Sequence, residues 1–457
     1  MAMSSPDLMM SHADPIASVI LWVTLMFCFA MFGRMLALRL KLPGVLGELL
    51  IGVILGNLFY SLGSELMIVL REGPTIYDIS RCLLQGLSLQ ESIASAHLPP
   101  SVAHSLDLAL SSPAGVNYFK IAYVLDIFSR YGVLFLLFLV GVESSLQELK
   151  QTGYEALKVA SLGVIMPMLL GLWVTYVMLP NLSWSADLFI GATLCATSVG
   201  VTARVLQELK QLHTREARTI LGAAMVDDIL GLFILAVVSG IVVEGHIEIK
   251  PMISILMSTV FFFVAVLTLG PWVLKQLIRI FSSFEHRDTK LMVSFIFLMI
   301  IAWFATTVHL AAIVGAFMAG LLIHDEWFVR KESRADHSIH DLVSPIEKIL
   351  APLFFTLIGF QVKLEILWHP QVLILALLLT VVAVLGKLIS GLGAHRTDRR
   401  WLVGCGMIPR GEVGLVFASI GKTLGVMNDE IFSAMIVMVM LTTLMTPIAL
   451  KWLIEKK

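Results

Sequence analysis

Apolar stretches long enough to cross a lipid bilayer recur along almost the whole of this chain, and they restrict its fold more than any other feature. A spanning helix needs roughly 20 mainly apolar residues, because the hydrocarbon layer is about 30 Å thick. Candidates fall at 16–38, 44–62, 118–142, 156–179, 185–206, 217–243, 252–274, 291–308, 310–323, 347–362, 370–394, 400–421 and 428–450, thirteen in all, two of them short. With 58% hydrophobic residues, 14% charged residues and a mean hydropathy of +0.90, the chain is too apolar for a soluble globular protein. Its net charge of -1 gives no field that would attract nucleic acid. Cys28, Cys82, Cys195 and Cys405 show no metal or redox spacing and read as small apolar residues.

The basic residues test the count, because Lys and Arg collect in cytoplasmic connections. Connections after odd-numbered spans carry Arg39 and Lys41; Lys150 and Lys158; Arg204, Lys210, Arg215 and Arg218; Lys275, Arg279, Arg287 and Lys290; Arg330, Lys331, Arg334 and Lys348; and Arg396, Arg399 and Arg400. The last span is followed by Lys451, Lys456 and Lys457, whereas the alternate connections hold only Arg71, Arg81, Lys250, Lys363 and Lys422. This alternation predicts an integral protein of a cell (inner) membrane, N-terminus outside and C-terminus cytoplasmic. The segment 1–15 reads as an external tail, with Asp7 and Asp14 where a signal peptide would carry basic residues, so the first span is expected to be retained. Residues 16–62 supply the first two helices and 118–457 the rest. Residues 63–117 are too polar to span and predict an external insertion with short amphipathic helices. No attached cytosolic regulatory domain is expected after the last helix.

Against this background a few charges stand out. An ionisable group near the bilayer centre costs several kcal/mol, so such groups usually face a cavity, pair, and mark an ion path. The sixth span holds Asp227 and Asp228, the eleventh Lys387, and the twelfth Arg410 with Glu412. Asp126 and Arg130 are spaced for a local ion pair in the third span, and Arg34 and Glu48 lie near enough to span ends to snorkel. Neighbours on a helix point about 100° apart, so Asp227 and Asp228 cannot both address one partner. One carboxylate is expected to meet Lys387 while the other faces water and binds an ion.

Two spans break the helical pattern. The fifth reads GATLCATSVGVTAR, with Thr197, Ser198, Gly200 and Thr202 where a helix prefers Leu or Ala, and the twelfth reads GCGMIPRGEVG, with Pro409 and flanking glycines. Broken backbone at membrane depth is tolerated only beside a cavity or within protein. Paired interruptions in two halves indicate a transporter of inverted repeats with its site where the breaks meet. Here they are seven spans apart, and an odd offset inverts one copy relative to the other. The fold class predicted is an all-α polytopic membrane protein of about 13 helices with inverted repeats.

Taken in order, ATSVGVTARVLQELK, GAAMVDDILGL, the GK at Lys387 and MIPRGEVGLVFASIG resemble the cation/proton antiporters of the second large family, especially the NapA-type sodium/proton antiporters. LPGVLGELLIGVILG, LFLLFLVGVE, GAFMAGLLI and PLFFTLIGFQV extend the resemblance over nearly the whole membrane region. It implies a homodimer whose core domain moves like an elevator. The core helices are expected mainly within 118–243 and 291–421, and dimerisation helices mainly at 16–38, 44–62, 156–179 and 252–274. It further implies that the fifth and twelfth helices cross at Thr197, that Asp228 is the main cation and proton ligand, and that Asp227 pairs with Lys387. Ser198 joins Thr197 as a candidate hydroxyl ligand, and Glu412 and Arg410 match the charged motif of the second break. An Asp-Asp pair with the membrane lysine implies electrogenic exchange. The insertion at 63–117 departs from the compact bacterial pattern.

The activity expected is exchange of Na⁺, and of Li⁺ with it, for protons by alternating access, with no cofactor beyond the transported ions. Burial favours a protonated carboxyl and a nearby cation favours an ionised one, so the two ions compete. A potassium/proton antiporter is the main alternative; a cation channel or a sodium-coupled solute symporter ranks below it, the breaks offering little besides Arg410 to hold organic cargo. Enzymatic activity finds no support, and His309 and His324 read as interfacial or loop histidines.

Overall fold

Helices stand at every predicted span in the computed structural model, which describes residues 16–456 apart from 41, 74, 97, 99, 144–145, 180–181, 245–248, 329–336 and 366–369. The tail predicted at 1–15 lies outside the described residues. In chain order the helices are α1 (Ala17–Arg39), α2 (Gly44–Ser61), α3 (Glu65–Arg71), α4 (Thr75–Leu84), α5 (Leu89–Ser95), α6 (Pro100–Ser111), α7 (Gly115–Val142), α8 (Leu146–Met178), α9 (Trp184–Cys195), α10 (Val199–Glu208), α11 (Arg215–Glu244), α12 (Ile249–Ile280), α13 (His286–Thr307), α14 (Ala312–Leu322), α15 (Ile339–Phe360), α16 (Pro370–Ser390), α17 (Arg400–Gly406), α18 (Gly411–Thr423) and α19 (Asp429–Glu455). Among the described residues ten segments are long and apolar enough to cross a bilayer, α9 and α10 counting as one. The other three predicted spans are α11 with its two aspartates, the 11-residue α14, and the divided pair α17 and α18. Length and apolarity alone therefore give ten spans rather than thirteen.

Large apolar side chains such as Leu21, Ile54, Trp173, Phe261, Trp303 and Ile374 lie exposed on the outside of the bundle. That arrangement suits a lipid solvent and would be an aggregation surface in water.

Packing sorts the helices into two bundles. One comprises α8 to α11 with α16 to α19; the other comprises α1, α2 and α7 with α13, α14 and α15, and α12 runs between them. Helix α8, which holds 156–178 and was expected among the dimerisation helices, packs on α11 and α16, while α7, α13, α14 and α15 join α1 and α2. The physical reason lies in small residues. A Cβ on Gly386 would fall 2.8 Å from Pro167 Cα, so α16 touches α8 backbone to backbone. Two pairs of helices that lie seven spans apart pack together, α7 on α15 and α8 on α16.

The α7–α14 crossing is equally tight. A Cβ on Gly320 would sit 2.0 Å from the Phe138 carbonyl oxygen, and one on Gly141 2.3 Å from that of Phe317. Neither obstacle is a movable side chain. Gly320→Ala is therefore expected to cost about 1–3 kcal/mol by overpacking, read as a lower unfolding temperature of the purified protein in detergent; an unchanged temperature would contradict this packing.

The ends of the helices agree with the charge pattern. Arg215 lies 3.4 Å from Glu155 and 3.6 Å from Asp398, and Arg399 lies 3.4 Å from Glu216, so three basic connections share one face. At the other face Arg71 meets Glu365 and Lys363 meets Glu72, each at 2.6 Å. The insertion is thus pinned to the end of α15. It is also a folded cap rather than a loose connection: Leu66, Leu70, Ile76, Ile93 and Leu106 share a buried cluster with residues of α1, α7 and α15. Ser88 and Glu91 close a capping box at the start of α5, and those reciprocal hydrogen bonds hold the Glu91 carboxyl below its ordinary range.

Candidate functional site

Two breaks in the helical backbone meet in the first bundle. Helix α9 ends at Cys195 and α10 starts at Val199, with Ala196 and Ser198 extended between them. The run Thr-Ser-Val-Gly explains the stop, since hydroxyl side chains compete for backbone hydrogen bonds and glycine leaves the chain loose. Helix α17 ends at Gly406 and α18 starts at Gly411, where Pro409 supplies no N–H and turns the preceding residue out of the helical region. Each break satisfies the other. Ser198 N–H donates to the Pro409 carbonyl at 2.7 Å, the Thr202 hydroxyl to the Gly406 carbonyl at 2.7 Å, and the Thr197 hydroxyl to the Met407 carbonyl at 3.4 Å. Buried polar backbone needs such partners, so the crossing exists only as a pair.

Gly411 holds the crossing at its closest point. Its φ is +48°, and a Cβ there would lie 2.5 Å from Ser198 Oγ. Its N–H donates to the Thr443 hydroxyl of α19 at 3.2 Å. Gly411→Ala is expected to lose about 2 kcal/mol from backbone strain and crowding together, visible as a lower unfolding temperature and a reduced rate of cation-driven proton movement. A variant as stable and active as the parent would remove this constraint from the site.

The buried charges gather beside the crossing. Lys387 of α16, completely buried, donates from Nζ to Asp227 Oδ1 at 3.0 Å, and Asp227 is 1% exposed. Space for the ammonium comes from Gly163 of α8, where a Cβ would lie 3.3 Å from Nζ. Thr197 lies beside the same carboxylate. The second carboxylate oxygen of Asp227 and the Ser198 hydroxyl are both buried with no hydrogen-bond partner among the described residues. Arg410, also fully buried, donates to the carbonyls of Met407 at 3.2 Å, Ile408 at 2.7 Å and Ala383 at 3.1 Å. It thereby offsets the negative end of α17. Asp227, Asp228, Lys387 and Arg410 make two negative and two positive groups. The Glu412 side chain lies outside the described residues, so its expected role is not placed.

Asp228 is half-buried and points about 100° away from Asp227 around α11. Seven residues on, two helical turns along the same face, Leu235 lines a cavity of about 450 Å³ with Val413 and Phe417 of α18. Leu134, Phe354 and Leu357 of the second bundle form the opposite wall, and Val69 and Ile76 of the insertion form the rim. Asp126 and Arg130 line it too, joined by a 2.6 Å ion pair at the expected spacing. The cavity is bounded by both bundles, so it changes shape if one moves against the other.

Sequence reading did not find the charged network at the basic face. Arg34 and Glu48, expected to snorkel, are instead paired at 3.0 Å with Glu48 fully buried. Arg204 pairs with Glu347 of α15 and lies 3.2 Å from Glu208. The partners are far apart in sequence; the only local signal was that α2 begins at Pro43-Gly44 without a capping side chain. Thr443 of α19, which accepts the Gly411 N–H, was also missed, because a threonine in an apolar helix reads as packing.

Comparison with known proteins adds to this geometry. A family model described as "Sodium/hydrogen exchanger, transmembrane" matches residues 25–456. The chain is 34% identical to the high-affinity Na⁺/H⁺ antiporter NhaS3 of Synechocystis sp. over 440 residues, 94% of this chain and 89% of that one. It is 31% identical to the Na⁺/H⁺-K⁺ antiporter GerN of Bacillus cereus, covering 77% of this chain and 89% of the relative. The fold is similar to that of the sodium proton antiporter MjNhaP1 from Methanocaldococcus jannaschii, with a TM-score of 0.60, 17% identity, and coverage of 96% of this chain and 98% of that one.

Proposed function

Because the chain belongs to the transmembrane sodium/hydrogen exchanger family, we propose that it exchanges Na⁺, and Li⁺ with it, for protons by alternating access across a cell membrane. The observation that carries the reading is the arrangement at the crossing: Asp227 is engaged by Lys387 at 3.0 Å, which leaves Asp228 on a different face of α11, in line with the cavity. A sodium ion prefers oxygen ligands. In this reading Asp228 is its carboxylate, and Thr197, Ser198 and the carbonyls at the breaks supply the neutral oxygens. A proton on Asp228 removes the charge that holds the cation, and a bound cation disfavours that proton, so the two loads exclude each other.

In this reading the first bundle is the moving core and the second, which contains α1 and α2, is the dimerising support of a homodimer. The face rich in basic residues is cytoplasmic, which places the insertion and the cavity outside. Asp227 and Lys387 supply a further proton-linked step that makes exchange electrogenic, with Arg410 and Glu412 balancing the ends of the broken helices. Related proteins named for Na⁺/H⁺ exchange support the cargo.

The test uses purified protein in liposomes with an internal pH dye, challenged in turn with Na⁺, Li⁺ and K⁺. Proton movement driven by Na⁺ and Li⁺ is expected, and none with any cation would sink the proposal. A response to K⁺ as large as that to Na⁺ would favour the second reading, potassium/proton exchange, which the name of GerN supports.

A further inference from the structure

Glu208, the last residue of α10, reaches out of the first bundle and caps a helix of the second. Its Oε2 accepts the backbone N–H of Gly44 at 2.6 Å and approaches that of Val45 at 3.4 Å. These are the first residues of α2, which has no capping side chain of its own. Its Oε1 lies 3.3 Å from Arg34 of α1 and 3.2 Å from Arg204 of its own helix. Glu48 completes the cluster through Arg34, and Glu347 through Arg204. Three carboxylates thus face two guanidinium groups, and the positive end of α2 offsets the excess negative charge.

Two features make this more than a static tie. The bond joins helices of different bundles, so it cannot survive a displacement of one against the other. The seam is also unequal at its two ends. It is closed at Glu208, where Val45 is 0% exposed, and at the opposite face it holds the cavity of about 450 Å³. We propose that Glu208 is a releasable cap: it closes the seam on the basic face in this state, and its withdrawal from the α2 N-terminus is a step in opening that face. A carboxylate suits the task because charge-assisted bonds to backbone N–H groups, with guanidinium charges beside them, are strong in a closed seam and replaceable by water once it opens. The inference rests on the alternating-access reading and assigns Glu208 a positioning role within it.

The test places a reporter cysteine at Val45 in a background with Cys28, Cys82, Cys195 and Cys405 changed to Ser, and follows labelling by a membrane-impermeant maleimide in proteoliposomes opened to both faces. Glu208→Gln keeps the shape and one acceptor but removes the charge. It is expected to raise the labelling rate about tenfold, the equivalent of about 1.4 kcal/mol, and to lower the KM for Na⁺ on the basic face while raising it on the other. Glu208→Asp should restore part of the protection. Should Glu208→Gln not fold, Arg34→Gln takes its place and is expected to speed labelling severalfold. Equal labelling rates in the parent and the folded variant would overturn the proposal. Failure of the function itself is read separately: the parent would then move no protons in response to cations, whatever the labelling rates.

Discussion

Asp228→Asn is expected to reduce Na⁺-driven proton movement in proteoliposomes to about one hundredth of the parent rate or less. The size of the effect follows from the proposed carboxylate–cation bond that the substitution would remove: a charge-assisted bond is worth about 3 kcal/mol at the upper end, and that is about a hundredfold in binding. Asparagine matches the size of aspartate, so packing is preserved, while the group can neither be neutralised by a proton nor offer a full negative charge to a cation. Because Asp228 is only half-buried and asparagine keeps its shape and one acceptor oxygen, the unfolding temperature of the protein is expected to move little. Loss of transport with an intact fold would separate an ion ligand from a structural residue. A variant retaining more than a tenth of the parent rate would shift the site away from Asp228.

The second large effect is on stability. Asp227 and Lys387 are 1% and 0% exposed, so removing one partner strands the other charge in a place that water does not reach. Breaking such a pair costs about 3–5 kcal/mol, whereas replacing both partners with neutral groups costs far less. Lys387→Gln is therefore expected to lower the unfolding temperature in detergent markedly, and Asp227→Asn to do the same. The double variant should recover most of the loss. If the pair also carries the electrogenic step, Lys387→Gln reconstituted in liposomes should lose the voltage dependence of exchange. Additive losses in the double variant would show that the two residues act separately, and unchanged voltage dependence would confine the pair to holding the fold.

The residues in these two predictions are legible in the sequence. Asp227, Asp228, Lys387 and Arg410 are conspicuous in a membrane chain because lipid penalises each of them, and the breaks at Thr197–Ser198 and Pro409 show because unwound backbone is as costly there. Which aspartate takes the lysine was not settled by the residues alone. Spacing fixes the angle between Asp227 and Asp228 and says nothing about where α16 lies around α11; only resemblance to a family named the pair. Glu208 stayed hidden for a similar reason. Its partner Gly44 is 164 positions away, and near a span end a glutamate reads as a solvated group.

What the sequence determined by itself is set by the solvent. Runs of about 20 apolar residues, basic residues gathered on alternate connections and the rarity of charge within spans arise from one-dimensional rules that a bilayer imposes on any chain. The grouping of α8 with α11 and α16, the mutual satisfaction of the two breaks, the Asp227–Lys387 pair, the cavity beside Leu235 and the cap of Glu208 on α2 were decided only in three dimensions. In lipid, apolar faces do not distinguish one neighbouring helix from another, so partner choice passes to close glycine contacts and to the few polar groups that need each other.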